Sequence, residues 1–216
     1  MTHSDDDGLI VPPKVAPLHV IVLPIIHKEE QRVRILEYCD DLEKALSSID
    51  YHGRPIAVEI DTRELTGGEK AWSWVKKGVP VRIEVGMKEY DNQSVFMGSR
   101  DKAYKDRISL PRAEFIDNIV QQLNTIQDTL LTRARTFQKN HSILIDSQTD
   151  FYDYFQNGDA GFAYAHWNGD PDIEAKIKKD LNVTIRCIPL DRKNDTGICP
   201  FSGGKSMQRV LFARAY

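Results

Sequence analysis

The chain of 216 residues is poor in the features that mark oxidised, membrane-spanning or metal-rich proteins. Its three cysteines, at 39, 187 and 199, make no even disulfide framework, which fits a reducing cytoplasm. No apolar run approaches the roughly 20 residues of a membrane span, so no membrane partner is expected. The opening "MTHSDDDGL" lacks the basic-then-apolar order of a secretory leader. Histidines are scattered at 3, 19, 27, 52, 141 and 166, and no pair has metal-ligand spacing on a helix. No Ser-His-Asp arrangement is recognisable. "GGKS" at 203–206 fails as a phosphate loop, because Cys199 stands where the first glycine belongs and no strand-then-helix context surrounds it. Internal repeats and low-complexity tracts are absent.

What remains is a balanced globular composition, 41% hydrophobic and 28% charged, enough for one large domain or two small ones. Net charge is −3, but its distribution is uneven. Residues 69–88 hold Lys70, Lys76, Lys77, Arg82 and Lys88 against Glu69 and Glu84. Residues 100–112 hold Arg100, Lys102, Lys105, Arg107 and Arg112 against Asp101 and Asp106. Solvated faces explain either stretch alone; two on adjacent strands point toward a polyanion.

Hydropathy patterning gives the elements. "PLHVIVLPII" is a continuous apolar run expected to form a buried strand, and "IAVEID" a second. Between them Val33, Leu36, Cys39, Leu42, Leu46 and Ile49 recur at helical spacing, which makes Cys39 a core thiol. Thr66 caps a short helix carrying Glu69, Trp72 and Val75, with Gly78 as its stop. "VPVRIEVG" alternates, with Val81, Ile83 and Val85 on one face and Arg82 and Glu84 on the other. "QSVFM" and "DRISL" supply further strands, and Pro111 opens a long helix striped by Phe115, Ile119, Leu123, Ile126, Leu130 and Phe137. Strand–helix alternation ending in a hairpin-like pair predicts an α/β fold, a three-layer domain on a mixed sheet. After about Asn140 the elements shorten and aromatics increase, which predicts a small α/β second domain. Cys187, in "IRCIPL", is expected in its core.

Three separated stretches resemble prolyl-tRNA synthetase in its archaeal/eukaryotic-like class II form. "MTHSDDDGLIVPPKVAP" is similar to the segment after the last class II signature motif. "KKGVPVRIEVG" resembles the family's anticodon-binding domain, and "RVLFARAY" its terminus. The resemblance runs in order along the whole chain. It implies residues 1–15 as the tail of a catalytic domain, 16–140 as the anticodon-binding domain and 141–216 as the C-terminal appendix. It also implies a catalytic domain before Met1, where ATP, Mg²⁺, proline and the acceptor end would bind; this chain alone would have no catalytic residue and need no cofactor. The implied parent is a cytoplasmic, homodimeric proline–tRNA ligase whose nucleic-acid partner is tRNA(Pro), not DNA.

Many family members carry four zinc-binding cysteines in the appendix. The matching positions here are Asn168, Ile173, Cys199 and Ser202, a donor set from which no zinc site is expected. Proline anticodons share two guanines, whose edges are read by carboxylates and by guanidinium or ammonium groups on splayed-out bases. The resemblance implies Arg82, Lys88 and Glu89 as base contacts, with Lys102 or Lys105 holding base or phosphate. Glu84 offers an acceptor or, equally, a surface ion pair, and Arg100 adds to the retained positive charge. Two departures stand out: "GMKE" replaces the usual G-P-[KR]-D, and Val75 stands where many members have an acid. The terminal Tyr216 is implied to point toward the catalytic domain. The competing reading is an anticodon-like domain reused as a protein-interaction or regulatory module; the retained Arg82, Lys88, Arg100 and Lys105 argue against it.

Overall fold

A computed structural model describes residues 2–157, 160–190 and 195–214. The chain divides into two compact units, Met1–Ala134 and Arg135–Tyr216. The division falls inside a long helix, slightly before the change of texture at Asn140.

In the first unit the strands are β1 (Val20–Pro24), β2 (Val58–Ile60), β3 (Val81–Val85), β4 (Ser94–Ser99) and β5 (Ile108–Pro111). The helices are α1 (Arg32–Ser47), α2 (Gly67–Lys77), α3 (Met87–Asp91) and α4 (Arg112–Asn140). The sheet order is β2-β1-β3-β4-β5; β1 runs parallel to β2 and β3, and β3, β4 and β5 are antiparallel neighbours. This is the mixed sheet expected from the sequence. Every residue of β1 is buried, because both faces are covered. Val20 and Val22 pack with Leu42 of α1 and Ile119 of α4, while Ile21 and Leu23 pack with Ala71 and Trp74 of α2. Three layers result.

Four local expectations need correction. β2 is a half-buried edge strand, because only β1 flanks it. The buried stripe of α1 is Ile35, Tyr38, Cys39, Leu42 and Leu46, and Val33 is 64% exposed. At 3.6 residues per turn Val33 falls on the side of α1 opposite Leu42, and so it faces outward. Pro111 ends β5 rather than opening α4. Phe137 lies beyond the core-facing part of α4 and is 62% exposed, stacked on His141 at 4.0 Å.

Helix α2 follows its sequence signals closely. The Glu69 amide donates to Thr66 Oγ1 (3.3 Å) and the Thr66 amide to Glu69 Oε2 (2.9 Å), and Gly78 ends the helix at φ 76°. A side chain at Gly78 would also strike the Leu9 carbonyl, built to 2.6 Å. Residues 5–11 pack here: Leu9 N–H donates to the Lys76 carbonyl (3.0 Å) and Val11 N–H to that of Gly78 (3.1 Å).

In the second unit β6 (Ser142–Leu144), β7 (Phe162–His166), β8 (Val183–Cys187) and β11 (Arg209–Arg214) form a sheet ordered β6-β7-β11-β8. Helices α5 (Gln148–Gln156) and α6 (Pro171–Leu181) and the pair β9 (Gly197–Ile198) and β10 (Lys205–Ser206) complete it. Phe151, Phe155, Ile177, Val183 and Phe212 build a separate core. Gly169-Asp170-Pro171 opens α6, with Asp170 Oδ1 accepting from the Asp172 amide at 2.9 Å. Cys187 departs from expectation: burial declines along β8, and its last residue is exposed.

The buried Asp61 ties β2 to α2. Its carboxylate accepts from Arg63 Nη2 (2.6 Å) and Trp74 Nε1 (2.7 Å), while Lys70 Nζ donates to its carbonyl (2.9 Å). The Arg63 hydrogen bond, aided by Trp74, outweighs burial and holds the carboxyl well below the usual carboxylate range. A depressed native pKa means stabilisation that is complete above the ordinary carboxylate value and lost as pH falls through the native one. Asp61→Asn should therefore cost about 2 kcal/mol at neutral pH. The gap from wild type should shrink in acid, as read by urea midpoints against pH; a pH-independent gap would contradict this.

Candidate nucleic-acid interface

The alternation of β3 sends Val81, Ile83 and Val85 into the core shared with α1 and α4 and turns Arg82 and Glu84 to the other face. On that face α2 packs on β1. Over β3 and β4 the surroundings of these side chains come from strand partners and residues 100–107. Arg82 pairs across the strands with Gly98, and Glu84 with Phe96. A β-carbon at Gly98 would sit 2.9 Å from Arg82 Nη2 and 3.1 Å from Arg107 Cγ, so the missing side chain leaves room for both arginines.

The loop after β4 lays Tyr104 over this surface. Its ring stacks on Trp72 of α2, with centroids 5.0 Å apart and planes 11° from parallel. The guanidinium carbons of Arg82 and Arg107 lie 5.1 and 4.5 Å from its centroid, and that of Arg107 lies 4.9 Å from the Phe96 ring. Arg107 Nη1 donates to Glu84 Oε1 at 2.7 Å. Arg82 is only 3% exposed, and burial draws its guanidinium below the usual pKa. The result is a patch of two guanidiniums, three aromatic rings and one carboxylate. Such a surface can stack unpaired bases and hold their edges.

Lys88 is exposed on α3, and Glu89 turns back so that its Oε2 accepts from the Gly86 amide at 3.0 Å. Both line a cleft of about 420 Å³ with His27, Glu84 and Phe96. It opens at the carboxyl ends of β1 and β3, the part of an open α/β sheet where ligands commonly bind. Lys102 and Lys105 are exposed on the 100–107 loop. Arg100 is 4% exposed and turned elsewhere: it pairs with Asp5, and its Nε donates to the Val75 carbonyl at 3.1 Å. Its hydrogen bond to Asp5 holds that carboxyl below the usual range. Tyr216 lies outside the described residues.

Sequence reasoning did not single out Tyr104, Phe96 or Gly98, and it counted Arg107 only as part of a basic stretch. The available signal was an aromatic among the charges of residues 100–107. Trp72, which the sequence places on α2 without assigning it a face, is 40% exposed, and Lys70, Ala71, Trp74 and Val75 form the buried face.

In the second unit Asn168, Cys199 and Ser202 come together. Burial raises the Cys199 thiol, but hydrogen bonds from the Ser202 hydroxyl and the amides of Phe201, Ser202 and Asn168 outweigh it and hold the thiol below its ordinary value. Ile173 packs its hydrocarbon against the core. One thiol, an amide, a hydroxyl and an alkyl chain do not fit a tetrahedral zinc. Among the described residues no group of three or more His, Cys, Asp or Glu side chains could hold a metal ion.

Comparison with known proteins agrees with this architecture. The family described as "Anticodon binding domain" matches residues 19–122, and that described as "Prolyl-tRNA synthetase, C-terminal" matches 149–216. A proline–tRNA ligase 2 of Anaeromyxobacter dehalogenans is 44% identical, with 100% of this chain and 44% of that protein covered. A proline–tRNA ligase of Bdellovibrio bacteriovorus is 42% identical, with the same coverage. The crystal structure of prolyl-tRNA synthetase from Cryptosporidium parvum complexed with L-proline and AMP superposes with a TM-score of 0.83 at 30% identity, again covering 100% of this chain and 44% of that one. The first unit is thus an anticodon-binding domain of the aminoacyl-tRNA synthetase type. The chain belongs to the prolyl-tRNA synthetase family and corresponds to the anticodon-binding and C-terminal region of those proteins. It spans less than half the length of these relatives.

The thiols offer a direct check on the geometry. Cys39 and Cys199 are buried and Cys187 is exposed; burial pushes the Cys39 thiol up to about 12. A thiol-exchange reagent should label one cysteine of the native chain quickly, identified as Cys187 by peptide mapping, and the other two only on unfolding. Fast labelling of Cys199 would contradict the described core.

Proposed function

We propose that this chain binds the anticodon arm of tRNA(Pro) through the β3–β4 face of its first unit, as part of a proline–tRNA ligase. The observation that carries this is the patch of Arg82, Arg107, Tyr104 and Trp72, next to exposed Lys88, Lys102 and Lys105. Aromatic rings give unpaired bases a surface to stack on, and the lysines meet phosphates. Arg82, Glu84, Lys88 and Glu89 act at the bases, and Lys102 and Lys105 chiefly at the backbone. Arg100 contributes by fixing the N-terminal segment. The whole ligase activates proline with ATP and Mg²⁺ and transfers it to tRNA in the cytoplasm, as a homodimer with no part for membrane or DNA. In that protein residues 1–15 lead in from the catalytic domain, 16–140 read the anticodon, and 141–216 form an appendix without zinc whose Tyr216 approaches the catalytic domain.

Fluorescence anisotropy with a labelled anticodon stem-loop of tRNA(Pro) tests this. Lys88→Ala should weaken binding about tenfold, the scale of one lost base contact. Lys102→Ala and Lys105→Ala should each weaken it and flatten the dependence of log affinity on log salt by about 0.7, the loss of one phosphate contact on a single strand. Unchanged affinity and salt slope in all three variants would reduce these lysines to solvated surface charges.

A further inference from the structure

A second cleft of the first unit, about 350 Å³, lies beside Arg82 and has an unusual polar lining. Three of its side chains carry buried polar atoms with no hydrogen-bond partner: Arg82 Nε, Ser99 Oγ and Asp101 Oδ1. The parent residues are 3%, 6% and 5% exposed. Buried polar atoms are normally satisfied, so three orphans around one cleft ask for a ligand that supplies their partners. That ligand must offer donors to a carboxylate and an acceptor to a guanidinium. The cleft also holds the cations Arg100, Lys102 and Arg133, but a bare phosphate offers no N–H donors to the unpartnered Asp101 oxygen.

Guanine has the required complement. Its N1–H and N2–H groups donate, its O6 and N7 accept, and its flat ring suits a wall made by Tyr104. Val75 lines the same cleft and offers no polar atom from its side chain. We propose that Asp101 is a specificity-determining residue that accepts from the N1–H and N2–H edge of one anticodon guanine, with Ser99 beside it and Arg82 facing the O6 and N7 edge. The inference rests on the anticodon-binding reading above. It adds a residue on the loop after β4, whose neighbours hold it in place: Arg133 Nη2 donates to the Asp101 carbonyl at 2.5 Å, and the Lys102 amide donates to the Ser99 carbonyl at 3.3 Å.

The test pairs a protein change with a base change. Anticodon stem-loops of tRNA(Pro) are made with inosine, which lacks the N2 amino group, in place of each anticodon guanine in turn. At one of the two positions the wild-type chain should bind guanine about tenfold more tightly than inosine, the scale of one good base contact. Asp101→Asn, which leaves one neutral acceptor in place of the carboxylate, should cut that preference several-fold while leaving the salt slope unchanged. Asp101→Glu, which keeps the charge but displaces the carboxylate, should also lower the ratio and serves if Asp101→Asn fails to fold. Equal wild-type affinity for guanine and inosine at both positions would overturn the proposal. So would an Asp101→Asn chain that folds and keeps the wild-type ratio; in that case anticodon binding itself survives. A wild-type chain that does not bind the guanine stem-loop at all overturns both this proposal and the reading on which it rests.

Discussion

One guanidinium kept almost out of water sets the arrangement of the first unit's polar sheet face. Arg82 lies on the middle strand of the sheet, where an exposed charge would cost nothing, yet it is buried. Burial of a cation is tolerable only where other groups replace the lost hydration. Here the Tyr104 ring supplies one face, Glu84 adds a nearby negative charge, and Gly98 supplies the room. Replacement is incomplete, since Nε has no partner. The same constraint explains the loop after β4. Tyr104 lies against Arg82, and its contacts with Trp72 and Arg107 hold it there.

The second unit shows a different economy. Its turn Gly169-Asp170 opens α6, and its hairpin around Cys199 directs backbone amides at the sulfur. Packing and hydrogen bonding hold the residues around it. Ile173 joins the core, and Ser202 spends its hydroxyl on Cys199. Stability comes from the aromatic cluster of Phe151, Phe155 and Phe212, which brings β11 and α5 together.

Much of this was legible in the sequence, and the reason differs from element to element. The β1 run, the cap and stop of α2 and the alternation of β3 depend on local chemistry, which a sequence carries directly. The buried stripe of α1 starts later than Val33, because at 3.6 residues per turn that residue falls opposite Leu42. Cys187 looked like core because it sits in the strand-like run "IRCIPL", but a strand's last residue can run past the layer that covers it. Arg82 could be assigned to a face, while its burial could not be foreseen, because the residue that covers it lies 22 positions away in a loop. Arg100 looked equivalent to its basic neighbours and differs from them through Asp5 and the Val75 carbonyl, both distant in sequence.

The central claim is that this sheet face reads bases rather than merely attracting phosphate. The most direct measurement compares the affinity of the chain for two anticodon stem-loops of equal length and charge, one carrying the two guanines shared by proline anticodons and one carrying adenines in their place. The account predicts that the guanine stem-loop binds at least tenfold more tightly, with parallel salt dependences, because each good base contact discriminates by about 1–3 kcal/mol. Equal affinities would mean that the patch around Arg82 binds RNA by charge alone.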